Sequence, residues 1–589
     1  MRFVARPFVC GVLGRPDPER LARLRRVMPD LVTVHERPDV VLLASRELTP
    51  YRTDGGALAW AFGDRQPAEG VDWRTAAITA DAAGLSDDGE RAVLHAGAHG
   101  YLDIFHRRLG DATWFASTID ALLDLDPAPL DIDWDTWACT IVLTIPLAER
   151  TPFVGVARLL GATTLVLDHT TGAVADGRWD PPWSGLPAPR PGAGDPRMIL
   201  EVMHSAVARH GDAPTVLPLS GGYDSRLLSI LLRDARIPTT TMTTSKDDGR
   251  DDVGIAREVA AALGQAHTVV DPTGLTYAEA ADESLTRMEY RAAQHLWSGA
   301  MARRIRADGV RVADAIALDT LFHNEHMPGK AILAPSGPER EAALFAALWR
   351  GGLRGKVLGA EAAGWLVETA RRRWQARWAG FQDDPNGLIL AVLSTRTTMG
   401  VGIMGQWLYG PEVSVVMPAI DADVVAASFT VDQLRKVDGT FYRELLAAAD
   451  PEVAAIRSTR DPAQRGAVGE RVKGGPAARA WLLEHTRSAT TVPGLVHPRL
   501  IELLETGRVK GVTNPDGSPI TPEHELKRRS TIAQSALGVG TLGAWLDRYG
   551  DRIGRLDPPW PVAPTATGAW SFASRLRRRS GSLVGRIRP

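Results

Sequence analysis

Cysteine is scarce in this sequence, with only Cys10 and Cys139 among 589 residues. Two cysteines cannot build a disulfide framework or a zinc ribbon, and free cysteines usually serve as small buried apolar residues. We therefore expect both thiols to be buried, and we expect a reducing cytoplasm to be the compartment of this chain.

Long apolar runs and an excess of charge of one sign are also missing. No stretch approaches the roughly 18 apolar residues that a membrane-spanning helix needs. Arg6 and Pro7 interrupt the N-terminal apolar residues, which is not the pattern of a signal peptide. The 68 basic and 70 acidic residues give a net charge of −2, which disfavours bulk nucleic-acid binding. We expect neither a membrane nor a nucleic acid as a partner.

The pattern of apolar residues changes along the chain. Short strand-like runs such as 40–43 and 113–116 fill the first third, and 159–167 predicts a further strand followed by a hairpin. A segment rich in Pro and Gly at 180–192 indicates a linker. From residue 197, predicted strands and helices alternate, which is typical of a doubly wound parallel sheet, and the later part is predicted to be mostly helical.

One motif carries the strongest chemical signal, and it lies between a predicted strand at 215–219 and a helix that begins near Arg226. The first N–H groups of such a helix have no partner within the helix and attract an anion. Adjacent glycines let a phosphate approach the backbone, and an acidic residue beside phosphates suggests a bridging divalent cation. The motif is Ser220-Gly221-Gly222-Tyr223-Asp224-Ser225.

Other interpretations of this loop fit less well. A Walker P-loop requires G-x-x-x-x-G-K-[ST], and no segment matches it. A nucleophile elbow requires G-x-S-x-G, but Pro218 stands at the first glycine position. A glycine-rich turn with incidental serines would not need all six specified residues between a strand and a helix.

The loop resembles the S-G-G-x-D-S pyrophosphate loop of the N-type ATP pyrophosphatases, which include the asparagine synthetases. Segment 241–244 corresponds to that family's second strand, beside the adenine, and 312–319 to its G-x-G-x-D loop, whose Asp binds magnesium. Segment 415–421 resembles its V-x-x-P-F-L-D motif, and 114–123 resembles the end of its N-terminal glutaminase domain. The resemblance covers roughly residues 95–460.

The resemblance implies ATP and Mg²⁺ as ligands, with Mg²⁺ held by Asp224 and Asp319. The family's late catalytic lysine aligns with Thr459, so Arg457 or Arg460 is expected to supply the positive charge. These two arginines and the two aspartates are the expected catalytic residues. The expected nucleotide-binding residues are Ser220, Gly221, Gly222, Tyr223, Asp224, Ser225, Met242 and Thr243.

The departures from the family are equally informative. A glutaminase of this type needs Cys at position 2 as an N-terminal nucleophile, and this chain has Arg2, so we expect a vestigial domain that releases no ammonia from glutamine. Ala315 and Ala317 replace the two glycines before Asp319. Ile316 stands where asparagine synthetases have Glu and β-lactam synthetases have Tyr. The general base is therefore left open between another residue and the phosphate itself.

Together these features resemble the macrocyclases of lasso-peptide biosynthesis. That resemblance implies adenylation of an Asp or Glu side chain of a precursor peptide, followed by attack of the peptide's N-terminal amine to form an isopeptide ring. It implies the precursor peptide as substrate, and a leader peptidase and a leader-recognition protein as further partners. The alternatives are a β-lactam synthetase, an ammonia-dependent amide synthetase and a non-catalytic scaffold.

The expected fold class is α/β. A degenerate, glutaminase-like (Ntn-type) β-sandwich domain precedes a doubly wound parallel-sheet ATP pyrophosphatase domain with a helical C-terminal part. The expected boundaries are 1–185 for the vestigial domain, 186–196 for the linker, 197–550 for the adenylating domain and 551–589 for a basic tail.

Overall fold

A computed structural model of the chain describes residues 6–63, 66–79, 82–147, 149–244, 251–271, 275–291, 299–309, 311–323, 329–334, 337–348, 357–402, 407–437, 439–459, 476–506 and 522–562. The strands are β1 (Val9–Leu13), β2 (Val32–Arg37), β3 (Val40–Ala44), β4 (Tyr51–Arg52), β5 (Leu58–Ala61), β6 (Gly84–Asp87), β7 (Arg91–His95), β8 (Phe105–Leu109), β9 (Ala112–Ala116), β10 (Leu130–Asp131), β11 (Val156–Arg158), β12 (Thr163–Asp168), β13 (Val174–Arg178), β14 (Thr215–Pro218), β15 (Thr239–Thr244), β16 (Ala266–Val270), β17 (Arg311–Ala313), β18 (Val415–Val416) and β19 (Ile553–Arg555).

The α-helices are α1 (Pro18–Val27), α2 (Trp73–Thr79), α3 (Ile119–Leu123), α4 (Trp134–Leu143), α5 (Pro196–Ala208), α6 (Asp224–Asp234), α7 (Asp252–Ala262), α8 (Tyr277–Arg287), α9 (Gly299–Asp308), α10 (Leu318–Phe322), α11 (Gly329–Ile332), α12 (Gly337–Leu348), α13 (Ala360–Trp378), α14 (Gly387–Val392), α15 (Thr398–Gly402), α16 (Ala422–Ser428), α17 (Gln433–Val437), α18 (Thr440–Ala449), α19 (Pro451–Ala455), α20 (Pro476–Ala489), α21 (Pro498–Thr506) and α22 (Pro522–Tyr549). A π-helical turn, Leu393–Thr397, joins α14 to α15. Among these helices, none combines the length and the apolarity that crossing a membrane requires.

The N-terminal part is built from two antiparallel six-stranded sheets, as its strand-like runs predict. Their strand orders are β11-β8-β9-β1-β3-β2 and β13-β12-β7-β6-β5-β4. Val9 and Leu42 of the first sheet and Leu85 and Leu165 of the second belong to one apolar core, so the sheets pack face to face. Side chains alternate along a strand, and Cys10 of β1 accordingly faces a second core on the other side of its sheet.

Both cysteines are buried and free, as their scarcity predicts. Burial raises the pKa of the Cys10 and Cys139 thiols to about 12. A thiol with such a pKa holds almost no thiolate at neutral pH, which disfavours a nucleophilic role for either cysteine. Arg2, the basis for expecting no glutaminase nucleophile, lies outside the described residues.

The predicted strand at 159–167 is shorter than the sequence pattern indicates. The strand begins at Thr163, because Ala162 has a positive φ of 57° and the Thr163 N–H donates to the Leu160 carbonyl in a turn. A Cβ on Gly161 would lie 2.6 Å from the His99 backbone, so this turn depends on a glycine. The expectation of an extended strand through residues 159–162 is therefore wrong.

The second part contains the predicted parallel sheet. Its strand order is β16-β15-β14-β17-β18, and every neighbouring pair is parallel. Val216 of β14 packs in a core with Ile305 of α9, whereas the adjacent Leu217 packs in the opposite core with Ile230 of α6. Helices therefore cover both faces, which confirms a doubly wound sheet. The strand order reverses between β14 and β17, and in such sheets ligands bind at the carboxyl ends of the strands at that point.

The C-terminal helices pack against both parts of the chain. Trp545 of α22 meets Trp137 of α4 edge-on, with ring centroids 5.4 Å apart. Gly538 permits this approach, because a Cβ there would lie 2.8 Å from Ile141 Cα. Residues 553–555, which the sequence analysis assigns to the basic tail, form β19 and pair in parallel with β10. The boundaries at 185, 196 and 550 stay predictions.

The packing of α20 makes folding stability sensitive to pH. His485 Nδ1 lies 2.9 Å from an Asp547 oxygen, and its Nε2 lies 3.7 Å from Asp282. Burial alone would lower the histidine pKa, but the two carboxylates outweigh burial and raise it to about 9. Stability from a raised pKa is complete below the unfolded value of about 6.5 and is lost as pH rises through the folded value.

We therefore expect the wild type to lose about 1–2 kcal/mol of unfolding free energy between pH 6.5 and 9.5, relative to His485→Gln, because the carboxylates are partly exposed. Urea unfolding of both proteins across this range measures the difference. Parallel pH profiles for the two proteins would contradict a charged His485.

Candidate functional site

The Ser220–Ser225 loop connects β14 to α6 at the carboxyl edge of the sheet. Its two serines hold the loop in shape, because the Ser220 N–H donates to Ser225 Oγ at 3.0 Å and the two hydroxyl oxygens lie 3.2 Å apart. The Gly222 N–H donates to Ser220 Oγ at 3.3 Å. Helix α6 begins at Asp224, two residues before the predicted start, and this places the aspartate in the first turn of the helix.

Gly221 is the point where three segments meet. Its N–H donates to Asp252 Oδ1 at 2.8 Å, and its carbonyl accepts from the Thr459 N–H at 3.0 Å and from Ser458 Oγ at 3.1 Å. A Cβ on Gly221 would lie 2.6 Å from Thr459 Cγ2 and 3.2 Å from Asp252 Oδ1. At Gly222, by contrast, a Cβ would meet only the Ser220 hydroxyl, at 3.4 Å.

These surroundings predict different effects for the two glycines. We expect Gly221→Ala to push Thr459 or Asp252 away from the loop and to reduce ATP-dependent turnover by at least about tenfold, with about 1–3 kcal/mol lost in stability from overpacking. Gly222→Ala is the matched control for stability, with a loss below about 1 kcal/mol because its Cβ has room. Thermal unfolding of both variants measures the difference in stability, and ATP–pyrophosphate exchange measures the loss of turnover in Gly221→Ala. Equal loss of stability in the two variants would refute this account of the loop.

Arg226 supports the loop from behind. Its side chain is fully buried and donates to the carbonyls of Val453, Ile456 and Arg457 at 3.2, 2.7 and 2.9 Å. These carbonyls lie at the end of α19 and in the residues just after it. One helix, α6, therefore carries both Asp224 and the arginine that holds the Ser458–Thr459 segment against Gly221.

A pocket of about 180 Å³ opens above the loop, at the point where the strand order reverses. It is lined by the carboxyl ends of β14, β15 and β17, by α9 and by the segment before β18. The lining residues are Pro218, Leu219, Ser220, Asp224, Ser225, Thr243, Thr244, Asp252, Met301, Asp314, Ala315, Ile316 and Tyr409. Four predicted site residues are thus brought together, namely Ser220, Asp224, Ser225 and Thr243.

Other predicted site residues do not line this pocket. Tyr223 stacks on Tyr442, with ring centroids 5.8 Å apart, and Met242 packs in the core beside Val216. Gly221 and Gly222 shape the loop backbone beneath the pocket. The binding roles that the resemblance implies for these residues stay predictions.

Asp319, the second predicted magnesium ligand, lies in the first turn of α10 outside the pocket lining. Its Oδ1 accepts the Thr320 N–H at 2.7 Å. Ala317, at a family glycine position, has a φ of 80°, a left-handed conformation that favours glycine. The shared use of Asp224 and Asp319 by one metal ion stays a prediction.

Two arginines are expected to replace the family's lysine, and neither is found in the lining of the pocket among the described residues. Arg457 forms ion pairs with Asp251 at 2.6 Å and Glu258 at 3.0 Å and does not line the pocket. The two carboxylates hydrogen-bond to it and raise the pKa of its guanidinium. Arg460 lies outside the described residues, so its role stays a prediction.

The sequence analysis missed three residues that line the pocket. Asp252 ends a run of acidic residues typical of a solvated loop, yet it is 4% exposed and accepts a hydrogen bond from the Gly221 N–H. Asp314 follows β17, where its position after a strand end is a usable signal. Tyr409 comes from a distant segment with no motif of its own.

The oxygen atoms of this pocket suit a hard cation that arrives with a nucleotide. Asp224 and Asp252 supply carboxylates, and Ser220 and Ser225 supply hydroxyls. The described residues contain no cluster of three His, Cys, Asp or Glu side chains arranged for a metal ion. Mg²⁺ commonly binds through one or two carboxylates together with substrate phosphates, so the residues present fit Mg²⁺ bound with ATP.

A protein-family model, described as asparagine synthase, matches residues 198–316. This stretch contains the Ser220–Ser225 loop and ends at Ile316, and it is less than half of the chain. The match confirms the prediction of an ATP-dependent, amide-forming ligase, and within residues 198–316 the chain is similar to asparagine synthases. No curated protein matches the chain.

Two solved structures share distant similarity with the chain. One is a glutamine phosphoribosylpyrophosphate amidotransferase from B. subtilis in complex with ADP and GMP, at 10% identity and a TM-score of 0.19. The other is described as the allosteric regulatory enzyme of purine biosynthesis, at 10% identity and a TM-score of 0.20. Each alignment covers 45% of this chain and 80% of the other. We draw no conclusion from scores this low.

Proposed function

We propose that this protein is an ATP-dependent macrocyclase of the lasso-peptide type. It adenylates an Asp or Glu side chain of a precursor peptide, and the peptide's N-terminal amine then closes an isopeptide ring. The observation that carries the proposal is a pocket lined both by Ser220, Asp224 and Ser225 of the loop and by the apolar Ile316. ATP consumption and the low cysteine content fit a cytoplasmic enzyme.

The first step converts a poor electrophile into a good one. A carboxylate oxygen attacks the α-phosphorus of ATP, an acyl-adenylate forms and pyrophosphate leaves. The Ser220 and Ser225 hydroxyls and the first N–H groups of α6 would bind the phosphates, because the Ser220, Gly221 and Gly222 N–H groups already donate within the protein. Asp224, with Asp319 as its expected partner, would hold Mg²⁺. When bound, that ion neutralises phosphate charge. Catalysis of such a step is mainly positioning and electrostatic stabilisation.

The second step needs an amine that arrives with the substrate. The N-terminal domain is proposed to be a vestigial glutaminase that supplies no ammonia, because both of its cysteines, Cys10 and Cys139, are buried. A folded peptide that holds its own amine near the activated carbonyl makes the reaction intramolecular, and this can contribute about 7–11 kcal/mol to lowering the barrier. A leader peptidase and a leader-recognition protein would deliver a peptide with a free N-terminus.

ATP–pyrophosphate exchange tests the adenylation step. The probe is a synthetic leader-free peptide with the sequence encoded beside the gene, carrying an Asp or Glu several positions from its N-terminus. We expect exchange with this peptide and none when the acceptor is replaced by Asn or Gln. Exchange with small carboxylates but not with the peptide, or glutamate release from added glutamine, would overturn the proposal in favour of an amide synthetase.

A further inference from the structure

A tyrosine and an aspartate form a hydrogen-bonded pair in the lining of the pocket. Tyr409 Oη donates to Asp314 Oδ2 at 3.0 Å, and the Ile316 N–H donates to Asp314 Oδ1 at 2.9 Å. Both residues line the pocket together with Ser220 and Asp224. The pair therefore faces the same small space as the residues that bind the phosphates.

The pair is held rigidly by the sheet. Asp314 directly follows β17, and its N–H donates to the Val416 carbonyl of β18 at 2.9 Å. Tyr409 is fully buried in the core shared by β14, β17 and α9. Each Asp314 oxygen thus accepts one defined donor, which fixes the direction of the carboxylate.

Apolar side chains adjoin the pair in the pocket lining, and no basic side chain of the described residues pairs with it. Met301 and Ile316 line the pocket beside it, and within the described part of the chain no arginine or lysine forms an ion pair with Asp314. Burial raises the pKa of Asp314, and burial together with the Asp314 charge raises the pKa of Tyr409. An unpaired carboxylate with a raised pKa is a stronger proton acceptor than an ion-paired one.

We propose that Tyr409 and Asp314 together act as the general base that deprotonates the attacking amine in the second step of the proposed macrocyclisation. This inference rests on the proposed function. It also assigns a base to a chain in which Ile316, at the position of the relatives' Glu or Tyr, cannot accept a proton.

The proton balance of the step is complete. The amine nitrogen forms a bond to the acyl carbon, and the bond from that carbon to the AMP oxygen breaks. The amine gives one proton to Tyr409 Oη, which passes its own proton to Asp314 Oδ2. AMP leaves with the bonding electron pair as its phosphate monoester, and Asp314 later returns its proton to water.

The experiment measures adenylation and ring closure separately in the variants Tyr409→Phe and Asp314→Asn. We expect ATP–pyrophosphate exchange within about threefold of wild type, because adenylation does not need the pair. Ring formation should fall by about 10²-fold or more, a common contribution of a general base. The double variant should be no slower than the slower single variant, because the residues act as a unit. Tyr290→Phe, which removes the hydroxyl of a buried tyrosine outside the pocket, should match wild type in both assays.

Hydroxylamine gives a readout that a structural role would not produce. It is largely unprotonated at neutral pH and needs no base to attack an acyl-adenylate. We expect hydroxamate formation at a near wild-type rate in both variants. Parallel loss of exchange, hydroxamate and ring would show a structural role, and unchanged ring formation would place the base elsewhere. Failure of the wild type itself to catalyse exchange would instead contradict the proposed function.

Discussion

Asp224→Asn is expected to reduce ATP–pyrophosphate exchange by about 10²–10³-fold, the loss typical of removing one electrostatic contact to a reacting group. The substitution keeps the size of the side chain but replaces a charged oxygen that lines the pocket with a neutral amide. Magnesium prefers charged oxygen ligands, so the neutral amide weakens its binding beside the phosphates. Measured thermal unfolding should change little, because Asp224 is at the surface of the pocket.

Asp234→Asn is the matched control. Asp234 is the last residue of the same helix and pairs with Arg233 on the surface, so we expect exchange at the wild-type rate. Asp319→Asn tests the family assignment separately. A loss of exchange comparable to that of Asp224→Asn would support a shared metal ion. Near-normal exchange in Asp224→Asn would contradict the assigned role of this pocket.

Arg226→Met is expected to cost about 3–5 kcal/mol in unfolding free energy, because several buried carbonyls lose their donor at about 1–3 kcal/mol each. Methionine keeps much of the apolar stem but cannot donate to Val453, Ile456 or Arg457. Exchange activity should fall as well, because the hydrogen bonds from Arg226 to these carbonyls hold the Ser458–Thr459 segment against Gly221.

Arg233→Met provides the comparison on the same helix. Arg233 forms partly exposed ion pairs with Asp234 and Asp450, and such pairs contribute about 0–1 kcal/mol. Urea unfolding of both variants gives the two free energies. A loss below about 1 kcal/mol for Arg226→Met would show that the three carbonyls find other donors and that Arg226 does not support the loop.

Local pattern in the sequence predicted much of the fold. The alternation after residue 197 predicted the strands and helices of the parallel sheet, because its central strands β14 and β17 are apolar and mostly buried. The loop could be identified from the sequence because Ser220, Asp224 and Ser225 are consecutive or nearly so. Their common orientation into one pocket follows from the strand–turn–helix geometry alone.

The remaining parts of the site depend on long-range packing. Tyr409 reaches Asp314 only because β18 pairs with β17, and no local pattern marks the residue. Asp252 lines the pocket and accepts a hydrogen bond from the Gly221 N–H, although its sequence neighbours are acidic and typical of a surface loop. Arg457 forms ion pairs with Asp251 and Glu258 of another segment. A sequence alignment with the family's lysine could not reveal these pairs.

Mass spectrometry of the peptide product tests the central proposal most directly. The wild-type enzyme, ATP and Mg²⁺ are incubated with the leader-free precursor peptide and, separately, with its N-acetylated form. The free peptide should become lighter by one water with one AMP released per ring, and fragmentation should place the new bond between the N-terminal amine and an acidic side chain. The acetylated peptide should support exchange but remain linear. Ring closure of the acetylated peptide, or incorporation of free ammonia at a comparable rate, would contradict the account.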